Sequence, residues 1–107
     1  MSGEALKGHL DLLLLAALDM RPAHGYAIVE RLRAQSGGTF DLPEGTLYPA
    51  LHRLEHGGWV TSEWSEEQGR RRRVYALTDA GRRRLAERQK EWRAFAKAVN
   101  QVVEGMA

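Results

Sequence analysis

The chain has 107 residues, room for one compact domain, and its 43% hydrophobic and 28% charged content is a globular balance that excludes a disordered chain. It has no cysteine, which excludes both a disulfide framework and a thiolate metal site. The net charge of +2 hides a segregation: Arg70 to Arg73, Arg82 to Arg84, Arg88 and Lys90 face only Asp79 and Glu87 within residues 70–90, leaving the rest net negative. Cations gathered in one place point to a polyanion partner.

Residues 5–20 are predicted as a helix stopped by Pro22. The longest strongly apolar run, Leu12 to Leu18, lies between Asp11 and Asp19 and falls far short of the roughly 20 residues a bilayer span needs. No basic start or small-residue cleavage site marks a signal peptide, so the expectation is a cytoplasmic protein with no membrane partner. The later half of this helix is apolar nearly all round, a pattern that calls for cover on two sides. A partner chain is one source of the second.

The stretch HGYAIVERLRAQSGG predicts a helix over about 24–36, with Tyr26, Ile28, Val29 and Leu32 as its apolar face and Gly37-Gly38 as its stop. After the link TFDLPEG, the segment TLYPALHRLEHGG predicts a third helix with Leu47, Ala50, Leu51 and Leu54 on one face. Strands are predicted over 59–64 and 72–78 with SEEQGR as a polar turn. Thr78 can then cap a helix running from about Asp79 to Glu104. Helix, helix, helix, hairpin, long helix is a mainly α fold with a small β-hairpin. It reads as one compact unit, a winged helix-turn-helix over 1–78 with a C-terminal dimerisation helix over 79–107.

The third helix belongs in the major groove. With its leucines turned inward, Thr46, Tyr48, Pro49, His52 and Arg53 are the candidates for DNA contact. Pro49 crowds the carbonyl four residues back, which belongs to the accommodating Gly45. The wing is Gln68-Gly69 followed by Arg70, Arg71, Arg72 and Arg73, whose guanidinium forks suit phosphates or a narrow minor groove. Strand alternation forbids all four from facing one way, so two or three are expected to engage. Tyr75 and Leu77 are assigned to the core. Double-stranded DNA is the partner this pattern expects.

Other chemistry is weakly represented. His52 and His56 stand four apart, a spacing able to chelate zinc, but HRLEH is not HExxH and no third ligand is evident. No nucleophile-elbow serine or phosphate-cradling glycine loop occurs, so no enzyme, cofactor or metal is expected. A protein-docking scaffold is the alternative from another class. The arginine wing and the polar stretch from Thr46 to Arg53 disfavour it.

In the last helix Leu85, Trp92, Val99 and Met106 recur every seven residues, with Phe95 and Val102 between them and Arg88 interrupting. A helix of about 26 residues is roughly 39 Å long, more than a small wing domain covers. The expected homodimer interface therefore combines Leu12, Leu13, Leu85, Trp92, Phe95, Val99 and Val102. The indole of Trp92 is also a candidate platform for a small aromatic or cationic effector.

The segments HGYAIVERL, GTLYPALHRLEHGGWV and GRRRRVYALTDAGRRRL closely resemble the PadR family of bacterial transcriptional regulators, over nearly the whole chain. The resemblance implies a homodimeric, repressor-like winged helix, with an effector sometimes bound near the dimer interface. Ending soon after one long helix, the chain looks like the short subfamily, where the position of Trp92 resembles a tryptophan lining an interface pocket. The phenolic-acid response of the family's namesake does not carry over. Pro43 stands where many relatives have a capping Ser or Asn, which leaves the start of the recognition helix open by a couple of residues.

Overall fold

The computed structural model describes residues 3–105, in the order α1 (Gly3–Met20), β1 (Ala23–His24), α2 (Gly25–Gln35), α3 (Glu44–His56), β2 (Val60–Glu67), β3 (Arg70–Leu77) and α4 (Asp79–Val103). This is a mainly helical winged helix-turn-helix with a long C-terminal helix. Met106, the last residue of the predicted heptad stripe, lies outside the described residues.

α1 stops ahead of Pro22, and its orphan carbonyls are taken up from α2. The Arg31 guanidinium donates to the carbonyls of Ala17 at 2.9 Å and Arg21 at 2.8 Å. Leu10, Leu14, Leu15, Ala17 and Leu18 bury one side of α1 against Ile28 and Leu32 of α2 and Leu47, Leu51 and Leu54 of α3. Leu12 and Leu13 stay only partly covered by the chain itself.

Tyr26 does not join the apolar face of α2. It sits one residue inside the helix start and points outward, 69% exposed, while Ile28 and Leu32 are buried. An aromatic at the right spacing is no guarantee of burial in the first turn, where no neighbouring turn or sheet lies over it.

The sheet has three strands, in the order β1-β3-β2, all antiparallel, and not the simple two-stranded hairpin that the residue pattern predicts. β1 contributes only Ala23 and His24, opposite Tyr75 and Val74, too short to leave a sequence pattern. The hairpin is also longer than the two predicted strands. Its register runs from Val60 opposite Leu77 out to Glu67 opposite Arg70. Gln68 and Gly69 alone make the turn, at φ 51° and 74°, the left-handed pair of a tight hairpin. Pairing begun in the core at Val60, Tyr75 and Leu77 propagates along the backbone, which requires no apolar side chains further out. Tyr75 and Leu77 are buried, as expected.

Thr78 caps α4 by accepting from the Gly81 amide at 3.0 Å, and its hydroxyl donates to the Gly58 carbonyl at 2.7 Å. Gly81 packs on the Trp59 backbone carbonyl with no space for a β-carbon, so the base of the wing and the start of α4 are locked together. Leu85 is only 3% exposed and belongs to the chain's own core, a correction to its placement in a dimer seam. One heptad step places Leu85 over the body and Trp92 beyond it. From Glu91 onward α4 is almost entirely exposed, which accounts for the molecule's 55 Å long axis against 28 and 20 Å. Among the described residues no helix is long and apolar enough to cross a membrane.

Candidate nucleic-acid interface

α3 begins at Glu44, two residues ahead of the predicted TLYPAL start. The Pro43 carbonyl accepts from the amides of Thr46 and Leu47, both at 3.0 Å, and no side chain caps the helix. Its remaining free amides sit beside exposed Gly45, which has open space around it. Pro49 is tolerated inside the helix because that glycine lies one turn back.

At 3.6 residues per turn the buried stripe of Leu47, Ala50, Leu51 and Leu54 fixes the opposite arc. Gly45, Pro49, His52 and His56 occupy its centre, all exposed. Thr46 and Arg53 lie on one flank, where Arg53 donates to the Asp11 carboxylate of α1 at 2.7 Å. That guanidinium is already engaged, although it stays largely exposed. Tyr48 and Glu55 lie on the other flank, toward the wing.

Tyr48 is half-buried over the start of α2. A β-carbon on Gly25 would overlap its hydroxyl and fall 2.8 Å from its Cζ, so Gly25 is the seat for the phenol. His24, Gly25 and Tyr26 of the α2 start, Tyr48 of α3, and Trp64 with Arg70 to Arg73 of the wing line one groove of about 570 Å³. His24, Tyr26 and Trp64 are groove residues that the sequence-based expectation omits. The available signal is HGY just beyond Pro22 and Ala23, which puts polar and aromatic groups at a helix N-terminus.

The four wing arginines are divided by strand alternation. Arg71 and Arg73 share a face with Trp64, their guanidinium carbons 4.7 and 5.2 Å from its ring centroid. Arg73 also donates through Nε to Ser62 Oγ at 2.8 Å, and Ser62 donates to Glu55 at 2.6 Å, tying the wing to α3. Arg72 approaches His24, its Nη1 2.8 Å from the ring Nε2. Arg70 is fully on the surface, next to the turn. Burial, then Arg72, lower the pKa of His24, with Glu67 opposing. Burial pushes the Tyr75 phenol up, so it stays neutral beneath the groove.

His52 and His56 are both exposed, and among the described residues no group of three metal-ligating side chains comes together. On the far side of the molecule α4 presents Trp92, Phe95, Val99 and Val102, the last 83% exposed. Trp92 meets His9 edge-on at 5.1 Å and Phe95 at 6.1 Å. It closes one end of a largely apolar cavity of about 510 Å³ with Leu6, Leu12, Leu13 and Phe40.

Residues 14–87 match the sequence profile described as "Transcriptional regulator PadR-like family". The transcriptional regulator Rv3488 of Mycobacterium tuberculosis is 40% identical over 76 residues, which span 71% of this chain and 68% of that one. A transcriptional regulator from Clostridium thermocellum superposes with a TM-score of 0.86 at 29% identity, covering 94% of this chain and 99% of that one. A PadR family transcription regulator from Clostridium difficile R20291 superposes at 0.78 with 36% identity, covering 90% and 99%. The chain belongs to the PadR-like family and is a transcriptional regulator, not an enzyme.

Proposed function

We propose that the chain is a homodimeric repressor that binds a pseudo-palindromic operator and is released by a small planar ligand. Residues 1–78 read DNA in this scheme and residues 79–107 hold the dimer. The observation that carries DNA binding is the continuity of the polar arc of α3 with the arginine-lined groove of the wing, joined by Tyr48 on its Gly25 seat. Thr46, Pro49 and His52 reach base edges from the major groove. Arg70 to Arg73 contact phosphates or a narrow minor groove, and Arg53 reaches the backbone after exchanging Asp11 for a phosphate.

Dimerisation is supported by the second half of α4, whose Trp92, Phe95, Val99 and Val102 stay between 38% and 83% exposed in the single chain. Partly covered Leu12 and Leu13 continue that apolar surface onto α1. Two-fold pairing sets the recognition helices about one helical turn of DNA, roughly 34 Å, apart. A planar compound in the cavity beside Trp92 would sit next to that seam. It would change operator affinity provided it binds the two helix spacings unequally.

Footprinting on the DNA upstream of the protein's own gene tests the reading. A protected pseudo-palindrome, lost as salt rises, is the expected result. Equal affinity for every duplex would refute sequence-specific regulation.

A further inference from the structure

His24 stands where the start of α2 meets the wing, and its ring has two neighbours of the same kind. Nδ1 lies 3.3 Å from the Ala27 amide, as the cap of α2, and Nε2 lies 2.8 Å from Arg72 Nη1. Both neighbours are hydrogen-bond donors. A neutral imidazole has one N–H and one lone pair, so it accepts from only one of them at a time. A protonated ring accepts from neither. The free protein therefore holds one donor too many at this spot, in a groove already lined by arginines.

One group would satisfy every member. A phosphate oxygen between His24 and Arg72 accepts from the guanidinium and from Nε2–H, and Nδ1 keeps its lone pair for the Ala27 amide. We infer that His24 and Arg72 form a clamp for one phosphate of the DNA backbone, closed on itself until the phosphate enters. The inference rests on the DNA-binding reading above and adds a ligand that the recognition helix and wing do not supply.

The groups facing the ring are Arg72 from β3, Glu67 from β2, and Arg31 and Tyr26 from α2, with the Tyr26 ring stacked 6.5 Å away. Glu67 is the lone anion in that set. Burial of the ring, Arg72 and Arg31 keep His24 mostly neutral in the free protein. At high pH the clamp holds the neutral Nε2–H tautomer; as pH falls, the phosphate offsets Arg72 and favours the imidazolium over the 3.3 Å contact with the Ala27 amide, so binding takes up a proton. Affinity then rises as pH falls through the interval between the bound and free pKa values. It levels off below the free value, where both states are protonated.

The test uses the full chain and a labelled random-sequence duplex at low salt, where phosphate contacts dominate. Wild-type affinity is expected to rise about twofold between about pH 8 and pH 5.5 for a difference of about half a pKa unit between bound and free protein, toward a limit of about threefold at lower pH. His24→Asn keeps an acceptor for the Ala27 amide but does not titrate, so its profile should lose that rise while its Tm is retained. His52→Asn and His56→Asn, at the two histidines of the α3 polar arc, should each keep the rise whatever their affinity. Imidazole 15N spectra give the direct readout: adding duplex at high pH should shift the His24 ring toward the Nε2–H tautomer. Duplex binding with unchanged His24 resonances, or an unchanged pH profile in His24→Asn, overturns the clamp and leaves the DNA-binding reading standing. No binding to any duplex at low salt overturns both.

Discussion

Gly25 and Tyr48, on two different helices, occupy each other's space: the phenol of one fills the volume where a side chain of the other would be. This contact packs the α2 start directly on α3, and both residues line the groove of the wing arginines.

Gly25→Ala is accordingly expected to cost about 1–3 kcal/mol, the range for an overpacked contact, toward the lower end because half-buried Tyr48 can swing outward. DNA affinity should fall with it. In a Tyr48→Ala background the same substitution should cost almost nothing. Thermal melts of the four proteins check this. Equal losses in both backgrounds would show that the phenol is not what excludes the methyl group.

The divided wing gives its arginines different signatures. Arg72→Ala together with Arg73→Ala is expected to weaken binding to all duplexes and to lower the salt slope by about 1 for each phosphate no longer neutralised. His52→Ala should instead change which sequence is preferred. Arg73→Ala alone should also lower stability by up to about 1 kcal/mol, because it removes the hydrogen bond to Ser62 and the ion pair with Glu55 that help tie the wing to α3. Anisotropy titrations across a salt series, with melts on each variant, separate the two effects. Normal binding by the double variant in moderate salt would remove the wing from the interface.

Val99 lies on the partly exposed apolar stripe of α4, 38% exposed in the single chain. Val99→Asp would place an unpaired carboxylate in the proposed seam, and loss of the dimer or of folding is the expected result. Sedimentation should give a wild-type dimer at micromolar concentration and a monomer or unfolded chain for the variant. A monomeric wild type would dispose of the interface.

Trp92 borders the cavity beside that stripe, with His9 edge-on to its ring. Planar aromatic dyes should quench tryptophan fluorescence by stacking on this indole. Trp92→Phe, with Trp59 and Trp64 retained, should abolish the quenching. Dye binding that is unchanged in the variant would place the ligand elsewhere, and the absence of quenching by any compound would mean that Trp92 only packs.

Much of this regulator is legible one segment at a time. Leu47, Ala50, Leu51 and Leu54 declare the inward face of α3, Thr78 declares the start of α4, and Tyr75 and Leu77 declare the inner end of β3. Helical period, capping chemistry and strand alternation are local properties, so residue order alone determines them. The residues that shape the groove are a different matter. That Tyr26 is exposed, that Leu85 is taken by the chain's own core, and that Arg72 meets His24 while Arg73 reaches Glu55 depend on which elements pack together. Gly25 with Tyr48 and Gly81 with Trp59 are contacts between separate elements, and the two-residue β1 exists because β3 lies beside it. Sequence order therefore determined that this chain is a winged helix with a basic wing. Tertiary packing decided which of its cations face the groove and which are tied to the body, because a guanidinium's partner is set by distance in space and not by position along the chain.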